Sequence, residues 1–193
     1  MSEPKNSLRK AMLEARRNIP PARRAIADAS IRESLKSIPQ LLNASMVAAY
    51  ASDGSEPELA PLLQDILRSG RRVCLPRSSD DESSYGFAEV RSLPDDLSKG
   101  RWGISEPKPE LPPVQADELK KALWLVPGVA FDARLFRLGR GKGVYDRLLA
   151  NGCGFSIGVF YECQRCGSVP LEGHDLALDM VVTEAGIVGV GRE

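Results

Sequence analysis

The chain has 193 residues, of which 26 are basic and 26 acidic, so its formal net charge is zero. A general nucleic-acid binder carries a basic excess, and this chain has none to offer. An apolar content of 42% and a charged content of 27% are those of a globular protein, and the length fits one domain, residues 1–193, able to bury a sizeable core.

No apolar run approaches the ~20 residues of a membrane span. The opening Met-Ser-Glu-Pro-Lys-Asn-Ser lacks the apolar core of a secretory signal. A cytoplasmic protein is expected. Cys163 and Cys166 form a C-x-x-C pair, and Cys153 and His174 complete a four-ligand set on paper only, because the spacing matches no standard zinc module. The pair does not open a helix after a strand, as a redox motif would. Reduced, inert thiols are expected.

In chain order, residues 5–19 place Leu8, Met12, Ala15 and Ile19 on one helical face, ahead of Pro20-Pro21. Lys5 and Arg9 lie four apart and so share a side of that helix. A second helix is predicted over 21–37, bracketed by Pro21 and Pro39. Residues 45–50 read as a strand, 51–56 as a polar turn, 57–69 as a helix with Pro57 in its first turn, and 72–76 as a strand. Strand–helix–strand implies a right-handed parallel crossover. Ligands bind beyond the carboxyl ends of such strands, and the turn 51–56 is one such end. Residues 77–82 read as loop, 84–90 as a strand of a hairpin, and 91–113 as mostly irregular. Trp102, in that stretch, is suited either to stacking on a flat ligand or to covering core.

Residues 123–131 are apolar and read as one buried strand. Then comes Arg137-Leu-Gly-Arg-Gly-Lys-Gly-Val-Tyr-Asp146, with glycines at 139, 141 and 143 interleaved with Arg140 and Lys142. A helix is predicted from Tyr145 to a stop at Gly152. At a strand-to-helix passage backbone N–H groups are free and the helix end favours an anion. Glycines let the backbone curl into an N–H nest, and the cations add charge. The natural ligand is a polyphosphate. The spacing is neither a Walker A loop nor a dinucleotide fingerprint. Strands are predicted over 155–161, 179–184 and 187–190.

Pro127-Gly-Val-Ala-Phe-Asp132 followed by 137–146 resembles the signature of the 5-formyltetrahydrofolate cyclo-ligase (methenyltetrahydrofolate synthetase) family. Leu135 departs from it, where a glycine is usual, and so does Val144, where an aromatic is common. Lys5-Asn-Ser-Leu-Arg9 is similar to the family's N-terminal Lys-x-x-Leu-Arg, 52–58 to its pterin-contacting segment, and 101–107 to its Gly-Ile-x-Glu-Pro segment. The resemblance implies a three-layer α/β/α domain with a mainly parallel sheet, like sugar-phosphate isomerases and CoA transferases. It implies an ATP- and Mg²⁺-dependent cyclisation of 5-formyltetrahydrofolate to the 5,10-methenyl form.

The same resemblance assigns Lys5, Arg9, Arg137, Leu138, Gly139, Arg140, Gly141, Lys142, Gly143, Val144 and Tyr145 to ATP, with Arg140 and Lys142 acting in catalysis. Ala51, Glu56 and residues 140–144 go to the folate, with Trp102 a candidate beside them on its own residue type, and Asp146 and Asp175 go to magnesium. Asp179, four residues from Asp175, is its rival. The implied partners are small molecules alone, with no nucleic acid or membrane, and the implied state is a monomer. A sugar-phosphate isomerase-like enzyme and a non-catalytic folate or nucleotide binder are the alternatives.

Overall fold

The computed structural model describes residues 3–78, 85–100, 103–150, 152–173 and 175–190. The helices are α1 (Glu3–Arg17), α2 (Pro21–Lys36), α3 (Pro39–Asn43), α4 (Ala60–Arg68), α5 (Ala116–Leu119) and α6 (Val144–Ala150). The strands are β1 (Met46–Ala48), β2 (Arg72–Ser78), β3 (Tyr85–Val90), β4 (Leu97–Lys99), β5 (Ser105–Pro107), β6 (Leu123–Val126), β7 (Ala130–Phe131), β8 (Arg137–Leu138), β9 (Ser156–Val159), β10 (Met180–Thr183) and β11 (Gly186–Val190).

Seven strands form one sheet in the order β11-β10-β9-β6-β1-β2-β3. The five inner strands are parallel, while β3 and β11 close the edges antiparallel to β2 and β10. Side chains alternate across the sheet, as the two-residue period of a strand requires. Val47, Val73, Leu125, Ile157 and Val182 pack with α2, α3 and α4 on one face. Ala48, Cys74, Trp124, Val126 and Val181 pack with Leu148 and Leu149 of α6 on the other. Helices therefore cover both faces, in the three layers expected. A mainly parallel sheet requires this, because both of its faces must leave water.

Chain order reverses between β1 and β6. From β1 the chain passes through α4 to β2 on one side; β6, on the other side of β1, passes through α6 to β9. The crevice between the carboxyl ends of β1 and β6 is thus the topological switch point, where open α/β sheets bind ligands.

Several expected boundaries are corrected. The single strand over 123–131 is broken: Pro127 has no N–H for a ladder. The chain leaves the sheet after Val126 and re-pairs as the β7–β8 hairpin, with Val129 N–H donating to Leu138 O at 2.7 Å. Arg137 and Leu138 are accordingly strand residues and not loop. The helix expected from Pro57 begins at Ala60, with Pro61 in its first turn. Residues 57–59 stay outside the helix, where Tyr50 Oη donates to Pro57 O (2.9 Å) and Glu58 N–H donates to Asp28 (3.2 Å), and Leu59 is the residue that caps it. Pro39 opens the short α3 instead of merely ending α2. Arg77 and Ser78 extend β2, and the stretch expected to be irregular contains the β4–β5 hairpin. Among the described residues no helix is long and apolar enough to cross a membrane.

Candidate active site

Asp132 is the reason residues 130–138 fold back on themselves. It is fully buried, and its carboxylate accepts from the N–H groups of Arg134 (2.9 Å), Phe136 (3.2 Å) and Val169 (2.9 Å) and from the Arg134 guanidinium (2.6 and 3.1 Å). Burial pushes this carboxyl up, but the hydrogen bonds outweigh it and hold it below the usual range. The turn it organises sends Arg137 back into the molecule. Leu135 lies in this turn with φ +65, the left-handed region, at the position where the family pattern carries a glycine.

Beyond β8 the glycine stretch curls. Gly141 (φ +97) and Gly143 (φ +63) adopt conformations that side chains resist. The N–H groups of Gly139, Arg140, Gly141 and Gly143 donate to no acceptor among the described residues. That is the curled N–H array the sequence implied. It borders a cavity of about 300 Å³ over the switch point. One wall comes from Tyr50, Ala51 and Glu56 after β1, and another from Pro127 and Gly128 after β6. Arg137, residues 139–140 and 142–146 make the third, and Pro76, Tyr85, Ile104 and Glu106 the fourth. Ala51, Glu56, Arg137, Gly139, Arg140, Lys142, Gly143, Val144, Tyr145 and Asp146 therefore line one space.

Charge pairing decides how these groups sit. Arg140 crosses from the glycine stretch to the turn after β1, donating to Asp53 and to Glu56 Oε1 (3.0 Å). Asp53 also accepts from Ser55 N–H (2.9 Å) and Oγ (2.8 Å) and from Glu56 N–H (3.1 Å). Burial raises its carboxyl, yet Ser55 and Arg140 hold it down at about 2. Glu56 shifts the other way: burial and the neighbouring Asp53 push it up, against Arg140 and Arg16. Arg137 is buried and donates to Asp146 Oδ1 at 2.7 Å. Burial pushes the Tyr145 hydroxyl up; it has no hydrogen-bond partner among the described residues.

Helix α1 packs its Leu8 and Met12 on the cluster of Ala130, Leu138 and Val169. That docking carries Arg9 to Gly139, where Nε donates to the carbonyl at 2.9 Å, and buries Lys5 against Asp175 (2.9 Å) and Glu172 (3.4 Å). Asp175 lies at this α1 contact and is absent from the cavity lining. Asp179 accepts from Ser156 N–H (2.8 Å) and Oγ (2.6 Å), at the amino ends of β9 and β10. That is the end of the sheet away from the site, so Asp175 is the better placed of the two. Trp102 and His174 fall outside the described residues. The described cysteines are all free thiols.

The donor set suits a cation that arrives with phosphate. Asp146 keeps Oδ2 without a hydrogen bond among the described residues, and no group of three or more His, Cys, Asp or Glu residues forms a cage there. One carboxylate beside a phosphate site is how Mg²⁺ is commonly held.

Sequence reasoning singled out neither Arg16 nor Asp53. Arg16 reads as an ordinary last-turn cation, and Asp53 as an ordinary turn residue before glycine. Glu106, in the quoted 101–107 segment, proves to be a buried cavity-wall residue that accepts from Ser78 N–H (3.1 Å) and Oγ (2.7 Å).

A doubly covered sheet, a switch-point cavity and an N–H-rich glycine turn facing a buried carboxylate define an α/β protein with a site suited to an anionic ligand. The 5-formyltetrahydrofolate cyclo-ligase family profile matches residues 1–184. A 5-formyltetrahydrofolate cyclo-ligase of Mycolicibacterium smegmatis is 33% identical, over 96% of this chain and 97% of its own. One of Escherichia coli K12 is 31% identical, over 77% and 83%. The solved 5,10-methenyltetrahydrofolate synthetase of Aquifex aeolicus superposes with a TM-score of 0.83 at 34% identity, covering 98% of this chain and 95% of that one. The chain belongs to the 5-formyltetrahydrofolate cyclo-ligase family, and it is a ligase.

Proposed function

We propose that residues 1–193 act as one cytoplasmic, monomeric domain. It converts MgATP and 5-formyltetrahydrofolate to 5,10-methenyltetrahydrofolate, ADP and phosphate, with small molecules as its only partners. The observation that carries this reading is the shared cavity. Glu56 and Ala51, proposed for the folate, and Arg137, Gly139, Arg140 and residues 142–145, proposed for the nucleotide, line one space of about 300 Å³, so a formyl oxygen and a terminal phosphate can be brought in line.

In the reaction the formyl oxygen attacks the γ-phosphorus, and the bond to ADP breaks. The folate N10 then attacks the activated carbon, closing the ring and giving up its proton to the departing phosphate or to water, and the phosphate leaves with the former formyl oxygen. No side-chain nucleophile is needed; the protein positions the reactants and offsets charge. Arg140 and Lys142 neutralise the transferring phosphoryl group, the N–H groups of 139–143 cradle the phosphates, and Arg137, Lys5 and Arg9 add charge around them. Leu138, Val144 and Tyr145 complete the nucleotide and folate walls. Glu56 accepts two hydrogen bonds from the amino-pyrimidine edge. Trp102 is proposed to stack on the pterin. Asp146, with Asp175 associated, would hold magnesium, which would supply charge neutralisation to the phosphates. Each of these acids is already paired with a cation proposed for phosphate, Asp146 with Arg137 and Asp175 with Lys5, which supports a common locus.

The test is to mix protein, MgATP and 5-formyltetrahydrofolate and follow the near-ultraviolet band of the methenyl product together with ADP. Matched appearance is expected. Binding without turnover would leave a non-catalytic relative, and sugar-phosphate turnover without ATP use would point to the isomerase class.

A further inference from the structure

Glu56 stands between two guanidinium groups of unequal freedom. Arg140 reaches Oε1 at 3.0 Å from the glycine turn, with 44% of its side chain exposed. Arg16 lies 4.0 Å from the same oxygen with 1% exposed. Arg16 is fixed from several sides. It donates to Gly128 O (3.2 Å) beyond β6 and to Ser55 Oγ (2.7 Å) beside Glu56, and its own carbonyl accepts from Arg24 of α2 (3.0 Å). Gly128 O is itself fixed by the buried Gln164, whose Nε2 donates to it at 2.9 Å.

A charged group in this position is costly, because burial opposes it and its Nε has no partner among the described residues. An apolar side chain would pack α1 at lower cost, so a packing role does not account for the arginine. The residue facing it does. Under the reading above, Arg140 serves the phosphates. Once it turns to them, Glu56 is left a buried carboxylate beside Asp53, with Arg16 as its remaining cation. We infer that Arg16 is a positioning residue, which keeps Glu56 oriented and ionised for the folate while Arg140 exchanges between Glu56 and the nucleotide. This rests on the proposed roles of Glu56 and Arg140.

The other groups facing Glu56 do not substitute for Arg16. Asp53 is of like charge. Tyr50 and Tyr145, whose hydroxyls burial pushes up, stay neutral, as does Tyr161, which donates to Asp28 at 2.7 Å and lies 3.4 Å from the Glu56 carbonyl oxygen.

The experiment compares Arg16→Gln, Arg16→Lys, Glu56→Gln and the double variant Arg16→Gln/Glu56→Gln. Calorimetry measures 5-formyltetrahydrofolate binding across pH, the KM for ATP is measured separately, and thermal melts check folding. Gln keeps a donor for Ser55 or Gly128 but removes the charge; Lys keeps the charge. Arg16→Gln is expected to weaken formylfolate binding about 10- to 100-fold. It should leave the KM for ATP within about two-fold and move the pH midpoint of binding upward, because an acid that loses a cationic neighbour ionises later. Lys should restore most of the affinity. In the Glu56→Gln background, removing Arg16 should cost less than about two-fold more. Equal effects of Gln and Lys, an unmoved midpoint, or independent multiplication in the double variant would overturn the inference while leaving the proposed function standing. If Glu56→Gln alone binds formylfolate as the wild type does, the folate role of Glu56 falls and this inference falls with it. Should Arg16→Gln fail to fold, Arg16→Lys decides: an unchanged midpoint with near-wild-type affinity supports the role, and loss of affinity for both ligands alike overturns it.

Discussion

Two residues of the 132–137 turn show how much a single position can carry. Asp132 accepts hydrogen bonds from three N–H groups and one guanidinium with no exposure to water. Asp132→Ala removes the acceptor of three N–H groups, a loss of about 3–5 kcal/mol, while the half-exposed Arg134 guanidinium keeps Ser168 and Val169 as acceptors. At roughly 2–4 °C per kcal/mol for a chain of this size, a thermal melt should fall by at least about 6 °C. Its depressed folded pKa fixes the sign with pH. The stability it confers is present above the unfolded carboxylate value of about 3.9 and is lost as pH falls through the lower folded value. Acid titration of a stability probe should therefore show a steeper acid limb in the wild type than in Asp132→Ala. Leu135 carries opposing terms: a left-handed backbone costing about 1–2 kcal/mol and a side chain 5% exposed within the core. Both Leu135→Ala and Leu135→Gly forfeit the burial, about 2–5 kcal/mol, but only glycine relieves the backbone. Leu135→Gly should melt above Leu135→Ala by a few degrees, and the reverse order would show that φ there carries no strain.

The β8–turn–α6 element couples binding groups to structural ones. Lys142 lines the cavity from the turn. Lys142→Ala should raise the KM for ATP about 10- to 150-fold, matching a charge-assisted contact of about 1.5–3 kcal/mol, with an unchanged melt. Wild-type ATP kinetics in a folded variant would remove Lys142 from the phosphate site. Asp146 is different. From sequence, losing a metal ligand there is expected to leave the melting temperature nearly unchanged. The ion pair with buried Arg137 alters that: Asp146→Asn weakens the partner of a guanidinium only 3% exposed. The melt should drop whatever Asp146 does in catalysis, so only the Mg²⁺ titration separates the roles. A raised magnesium requirement is expected; an unchanged curve would leave Asp146 a partner of Arg137 alone.

At the scale of the whole molecule, the two cores meet along one sheet whose strand order reverses at the site. The cavity walls converge from several places: the turns after β1 and β6, the wall at 104–106, and the glycine turn with α6. A ligand bridging these elements must stabilise the fold as a unit. At one hundred times its dissociation constant, MgATP should add about 2.7 kcal/mol, read as a rise of roughly 5–10 °C in the melt. A melt indifferent to saturating MgATP would contradict nucleotide binding at this cavity. Magnesium alone should shift it little, since the described residues hold no cage of three or more acidic, His or Cys ligands.

With the three layers implied by the family resemblance, sequence by itself determined most strands of the parallel sheet and the glycine turn. These follow from local periodicity, from proline and glycine placement, and from a motif whose chemistry is contained in ten consecutive residues. It could not show that residues 123–131 break at Pro127, because a continuous apolar run looks the same whether it stays in the sheet or turns into a hairpin. Nor could it show that Arg16 faces Glu56 across 40 positions, that Arg140 bridges to Asp53, or that Asp179 lies at the wrong end of the sheet for the site. Those are pairings between segments distant in sequence, selected by how α1 docks and by the geometry of the switch point. A buried charge is legible only once its partner is in place: on a helix wheel Arg16 is one more cation, and only the packed structure puts it at the carboxylate.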